Sequence, residues 1–295
     1  MTSFDIQIIL AGFLVALPCA LLGSFLVLRK MVMLGDAISH AVLPGIVIAF
    51  LFSGERNSGV MLVGACVMGL FSTFLIEYLH KKGGLQSDAS IGVTFTAFFA
   101  LGIILISVLA GQVDLDQDCV LYGEIAYVPL DLWITESGTN LGPRIVWNMS
   151  IISVLVILFL FLFYKELTVN TFDSSFAAVA GISATLWHYA LMSMVTVVTI
   201  TSFEAVGAIL VIAFLVGPAA TAYLLTTKLK NMLLLSVLLG FTATVLGYLL
   251  ASYTQGSVAG AISIAIGLQF VVVIFWQNMR KNAANKSASI STPSF

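Results

Sequence analysis

The stretch Leu28–Gly45, LRKMVMLGDAISHAVLPG, closes one long apolar run, crosses the basic pair Arg29 and Lys30, and opens a second run. Inside it a carboxylate, Asp36, and an imidazole, His40, stand four residues apart. On a helix that spacing puts both on the same side. Pro44 and Gly45 follow one turn later and break the run. An apolar run, basic residues and a second apolar run describe a chain turning at a membrane surface.

The rest of the sequence repeats the pattern. Of 295 residues, 60% are hydrophobic and 9% charged, and the mean hydropathy is +1.10. Soluble domains are about 45–50% apolar and about 25% charged. The composition therefore predicts an all-α, polytopic membrane helical bundle. A spanning helix needs about 20 apolar residues, and such runs occur at 8–28, 36–52, 59–79, 90–110, 146–164, 184–200, 205–225, 231–251 and 258–277. Only TSFE separates the sixth run from the seventh, so a broken or re-entrant segment there makes the count eight instead of nine. One membrane domain covers 1–282, and residues 283–295 read as a short disordered tail.

Charge sets the expected sidedness. Arg29, Lys30, Lys81, Lys82, Lys165, Lys228, Lys230, Arg280, Lys281 and Lys286 fall in alternate loops or the C-terminal tail; Arg56 and Arg144 fall in the opposite set. That bias places the C-terminus in the cytoplasm and, with nine spans, the N-terminus outside. The first span has no basic residues before it and runs on to Leu28, so it reads as a membrane helix and not a cleaved leader. The net charge of −2 suggests no nucleic-acid partner. Cys19, Cys66 and Cys119 are scattered and predict no disulfide framework. On the outer side, 111–145 carries six acidic residues, which read as a solvated loop or as a surface that docks a partner or attracts cations.

Three polar features stand out. The first is Asp36/His40. An ionisable residue in a membrane segment costs roughly 2.5–3.5 kcal/mol on insertion scales and points to function. Pro44 has no N–H, so the His40 carbonyl loses its usual partner, and Gly45 admits a close backbone. Carboxylate, imidazole and carbonyl suit a divalent first-row metal. One chain supplies too few ligands, whereas a two-fold pair supplies two Asp and two His. The plainer reading has Asp36 capping a helix and His40 satisfied in the bundle.

The second is Ser202–Met232. Glu204 there either draws a cation from outside or caps the following helix, and Gly217-Pro218 breaks the run before an amphipathic turn at the cytoplasmic surface. The third is Lys165–Ser183, in which TFDSSFAAVAG reads as a short capped surface helix closed by Gly181. His188 follows as a weaker metal candidate, and His80, beside Lys81 and Lys82, reads as a surface residue.

The blocks GSFLVLRKMVMLGDAISHAVLPGI, TFDSSFAAVAGIS and FEAVGAILVIAFLVGPAATAYLLT, in that order, resemble the permease subunits of bacterial metal-ion uptake ABC transporters, and are most similar to Bacillus-type manganese permeases. The resemblance implies a multi-pass protein of the bacterial plasma membrane. It implies a two-fold core made with a second copy or a close paralogue, two cytoplasmic ATP-binding subunits and an extracellular metal-binding lipoprotein. It assigns metal handling to Asp36 and His40, and ATPase coupling to the segment from Pro218 through Thr226, Thr227, Lys228 and Lys230. By weaker analogy Phe172 and Asp173 share that face. The cargo it implies is a divalent metal, Mn2+ first and Zn2+ or Fe2+ after it, with no permanently bound cofactor. The chain contains no GxxxxGK[ST] loop, so an ATP-driven mechanism needs a separate ATPase polypeptide and this chain is no enzyme. An ion-coupled secondary transporter is the runner-up. An intramembrane protease fits poorly, because Met33 occupies the first glycine position of a GxGD motif and no second Asp lies in a span.

Overall fold

The computed structural model describes residues 3–53, 58–109, 125–134 and 140–290. Most of the acidic 111–145 loop, and Cys119 with it, lie outside the described residues. The chain forms α1 (Ser3–Leu28), α2 (Leu34–Ala41), α3 (Leu43–Ser53), α4 (Ser58–Lys81) and α5 (Ser87–Leu109). A 3₁₀ helix (Ile125–Leu130) and a two-stranded antiparallel hairpin, β1 (Leu132–Ile134) with β2 (Asn140–Pro143), come next. Then follow α6 (Arg144–Leu162), α7 (Tyr164–Phe172), α8 (Ser174–Val179), α9 (Ala184–Leu225), α10 (Leu229–Thr254) and α11 (Val258–Ile290). α11 thus carries helical backbone into the first part of the segment read as a tail. Among the described residues, nine stretches are long and apolar enough to cross a membrane.

The sixth and seventh of these stretches are the two arms of α9. A straight helix of its 42 residues would be about 63 Å long, twice the roughly 30 Å hydrocarbon core. The chain folds back instead at Gly207, whose φ of 76° and ψ of 165° are open essentially only to glycine. Both ends of α9 lie at the same end of the bundle. His188 meets Arg29 just past α1, and the Leu224 carbonyl accepts from Gln277 near the inner part of α11. The turn sits deep: Ser202 lies beside Cys19 and Leu215 lies against Gly23, both in the body of α1. Above it, toward the start of α1, the 3₁₀ helix packs on α1, α9 and α11, with Ile125 fully buried against Gly12. The pair is therefore one ascending and one descending arm, not a single crossing.

Close packing in the bundle comes from small residues, because lipid tails are as apolar as the helices and give little hydrophobic incentive to associate. A Cβ on Gly23 would sit 1.8 Å from the Leu215 carbonyl oxygen, and one on Gly45 2.4 Å from that of Gly64. Gly45 thus does what the sequence suggested and lets α4 approach α3. Several buried hydroxyls pair locally or across helices: Ser24 donates to the Ala20 carbonyl and lies 3.2 Å from the Ser236 hydroxyl, and Thr73 pairs with Thr196 at 3.1 Å.

Most of the described basic residues gather at one end, Arg144 beside the hairpin excepted. Arg29 reaches His188 and Lys81 reaches Glu77, two partners that meet each other, and Lys230 lies 5.8 Å over the Tyr164 ring, joining the start of α10 to the start of α7. α7 and α8 cap that end, and the 3₁₀ helix and hairpin occupy the other.

Candidate functional site

Asp36 and His40 lie on α2, the short helix that restarts the chain after the turn at 29–33. Val42, still in a right-handed helical conformation, joins α2 to α3, and Pro44 falls in the first turn of α3, where a missing N–H costs nothing. The two side chains meet: His40 Nε2 is 3.6 Å from Asp36 Oδ1. Two ligands of one first-row cation, each at about 2.1 Å, sit roughly 3–3.5 Å apart, so the pair is spaced to share an ion with little adjustment. The imidazole is wedged between Phe95 and Phe99 of α5, ring centres 5.3 and 5.4 Å away, which fixes its plane. Neither group is sealed in: Asp36 is 38% exposed and His40 25%. Asp36 makes no side-chain N-cap, since the residue before α2 is Met33 and no side chain caps that end. The plainer reading of Asp36 as a cap therefore does not hold.

α2 rests on α4 and α9. Gly69 of α4 packs against Val42, and Gly35 sits under the Leu215 side chain. Among the described residues no three His, Cys, Asp or Glu side chains come together as a metal cluster. Two ligands from this chain leave a cation's shell to be completed by water, a carbonyl or a second chain.

The other expected residues fall elsewhere. Glu204 lies in α9, three residues before Gly207, with its side chain outside the described residues. Pro218 is buried inside α9, near Gly240. Thr226, Thr227 and Lys228 form a tight turn. They are the whole connection between α9 and α10, with Thr226 Oγ1 accepting from the Lys228 amide at 3.3 Å. The helices run so close to the surface that only three residues are left to turn. TFDSSFAAVAG does form the capped helix expected of it: Asp173 Oδ1 accepts from the Phe176 amide at 2.9 Å, and Gly181 closes the turn at φ 76°. Phe172, Phe176 and Val179 stand exposed around it, Val179 at 88%. His80 is exposed and bonds the Leu85 carbonyl.

His188 does not approach Asp36/His40 as a ligand. It belongs to a network that the sequence did not single out. Glu77, 5% exposed, holds Lys81 Nζ at 2.6 Å and His188 Nε2 at 2.9 Å. Arg29 reaches His188 Nδ1 at 3.2 Å and Thr171 Oγ1 at 3.1 Å. Burial pulls the Arg29 guanidinium down to about 10, opposed by the Glu77 carboxylate, so it stays charged. The signal available in the sequence was FLIEYLHK, an acid inside a span one turn before a lysine.

A helical bundle with a partly open Asp/His pair at a helix joint and short helices capping one end fits a membrane transport subunit. The chain belongs to the ABC 3 transport family, whose model matches residues 1–278. It is 45% identical over 266 residues to the manganese transport system membrane protein MntD of Bacillus subtilis (strain 168), covering 90% of each chain. It is 42% identical to the zinc transport system membrane protein TroD of Treponema pallidum (strain Nichols), covering 90% of this chain and 72% of that one. The structure superposes on PsaBC from Streptococcus pneumoniae, solved in complex with Fab, with a TM-score of 0.73 at 32% identity, over 92% of this chain and 91% of that one.

Proposed function

We propose that this chain is the permease subunit of an ATP-driven importer of divalent metal ions, with manganese as its cargo and zinc or iron as the alternative within the same family. The observation that carries the reading is the Asp36/His40 pair, spaced to share a cation and open on one side. A carboxylate suits manganese and an imidazole suits zinc and iron equally. The preference for manganese rests on the kinship with MntD, and that for zinc on TroD.

In this reading the cargo arrives from an extracellular metal-binding lipoprotein. It passes between two permease copies, or between this chain and a close paralogue, where the second chain completes the ligand shell. It leaves at the basic end, which the positive-inside bias makes cytoplasmic together with the C-terminus. Two cytoplasmic ATP-binding subunits dock on that face. The exposed Phe172, Phe176 and Val179 around α8, and the turn at Thr226–Lys230, which meets the start of α7 through Tyr164, supply the contact. Pro218, being buried, shapes the α9 arm instead of touching a partner. The permease forms no covalent bond with its cargo.

The test is uptake of labelled manganese by cells supplying the ATPase and binding protein, with zinc and iron as competitors, comparing the parent with His40→Ala and Asp36→Ala. Immunoblotting checks insertion. Uptake is expected to fall to background in both variants. Parental uptake in normally inserted variants would remove the pair from the ion path. Uptake that persists without any ATPase would favour an ion-coupled secondary transporter.

A further inference from the structure

Resting on the importer reading, we propose that Arg29, His188 and Glu77 form a polar joint, fixed in sense, through which α7, carrying the docking helix α8, positions the helices that hold α2. These are positioning residues, and they touch no cargo.

The sense of the chain of bonds follows from its donors. Thr171 Oγ1 spends its proton on the Leu167 carbonyl at 2.6 Å, so toward Arg29 Nε it can only accept. A guanidinium has no acceptor, so His188 Nδ1 must accept from Arg29 Nη1. The imidazole proton is therefore on Nε2, where it faces Glu77 Oε2, and Glu77 Oε1 is left for Lys81. Reversing the imidazole would set an N–H against the guanidinium, so the sense is fixed at His188, while Arg29 Nη2 stays buried without a hydrogen-bond partner among the described residues. Such a network is either joined or parted, as a switching element requires.

Its members come from three helices and the residue just past a fourth. Arg29 follows α1, Glu77 and Lys81 are on α4, His188 is on α9 and Thr171 is on α7. The neighbouring Asn170 donates to the Ala184 carbonyl at the start of α9, so two consecutive residues tie α7 to the bundle immediately before the exposed Phe172. α4 and α9 are also the helices on which α2 rests. A shift of α8 pressed by an ATPase subunit thus reaches Asp36/His40 through rigid helices and this one joint. Arg29 is itself held in place by a left-handed Lys30 (φ 58°), with the Lys30 amide donating to the Val27 carbonyl and the Met31 amide to that of Leu26.

The experiment uses the whole transporter, permease with ATPase subunits and binding protein, in proteoliposomes, with Mn2+ as the probe and uptake per ATP hydrolysed as the readout. Glu77→Gln and His188→Phe are expected to assemble and hydrolyse ATP, yet to lose about ten-fold in uptake per ATP, within the usual range of coupling between sites. His188→Gln, whose amide both accepts and donates, is expected to stay near the parent, a rescue that a merely structural role does not predict. Thr171→Val, a change at the cap of the bundle that spares the buried carboxylate, is expected to lose coupling in part and keeps the test open where Glu77→Gln fails to assemble. Parental uptake per ATP in His188→Phe and Thr171→Val would overturn the joint. A wild-type complex that moves no Mn2+, Zn2+ or Fe2+ would overturn the importer reading itself, and the joint with it.

Discussion

Lys30 shows how a single residue bears a cost for the site. A left-handed conformation at a non-glycine residue costs roughly 1–2 kcal/mol, and here it lets α1 end abruptly so that Arg29 turns back into the bundle. Lys30→Gly should therefore stabilise the detergent-solubilised protein by about 1 kcal/mol, visible as a raised melting temperature with uptake unchanged. Tyr248 makes the opposite case at the other end of the bundle, its hydroxyl donating to Asp5 Oδ1 at 2.6 Å between α10 and α1. Removing only that hydroxyl in Tyr248→Phe should cost about 1.5–3 kcal/mol, the range for a bond to a charged acceptor. Asp36 and His40 were legible in the sequence because ionisable residues are rare in spans, and four-residue spacing on a helix has one geometric meaning. Glu77 and His188 were harder to see. They lie 111 positions apart and become partners only when α4 and α9 pack together.

At the scale of elements, glycines decide which helices meet. Gly45 and Gly64 bring α3 and α4 to backbone contact, and an added Cβ at either overlaps the other's carbonyl oxygen at 2.4–2.5 Å. Gly64→Val should destabilise this pair by at least about 1–3 kcal/mol, the common cost of overpacking, and lower the amount of inserted protein on immunoblots. Gly207 has a different task. Its ψ of 165° at φ 76° reverses α9 inside the bundle, so Gly207→Ala should fail by backbone strain. Loss of folded protein by size-exclusion chromatography checks this, and normal folding would show that the turn can form another way. The short TSFE interruption pointed to the break, and composition alone fixed the number of apolar runs. Neither revealed that the two arms turn within the bundle under a 3₁₀ helix, because that depth depends on contacts with Cys19 and Gly23, far away in sequence. The turn expected after Gly217-Pro218 is shorter than its polar stretch TTKLKNM suggests, because three residues suffice to join the two helices there.

Across the whole molecule, charge and apolar surface divide the work. One end carries most of the basic residues, the exposed apolar rim of α8 and the Arg29–His188–Glu77 network; the other carries the hairpin, the 3₁₀ helix and Arg144. The Asp36/His40 pair lies on α2, between α5 on one side and α4 and α9 on the other, where movement of any of them changes its geometry. The central claim is that a cation in transit is bound by His40. Pulsed electron paramagnetic resonance of Mn2+ trapped in the complete transporter tests it most directly, because an imidazole ligand imposes nitrogen hyperfine coupling on the metal. The wild type should show that coupling and His40→Ala should lose it while the protein remains assembled. The same nitrogen coupling in both would place the cation elsewhere and contradict the account.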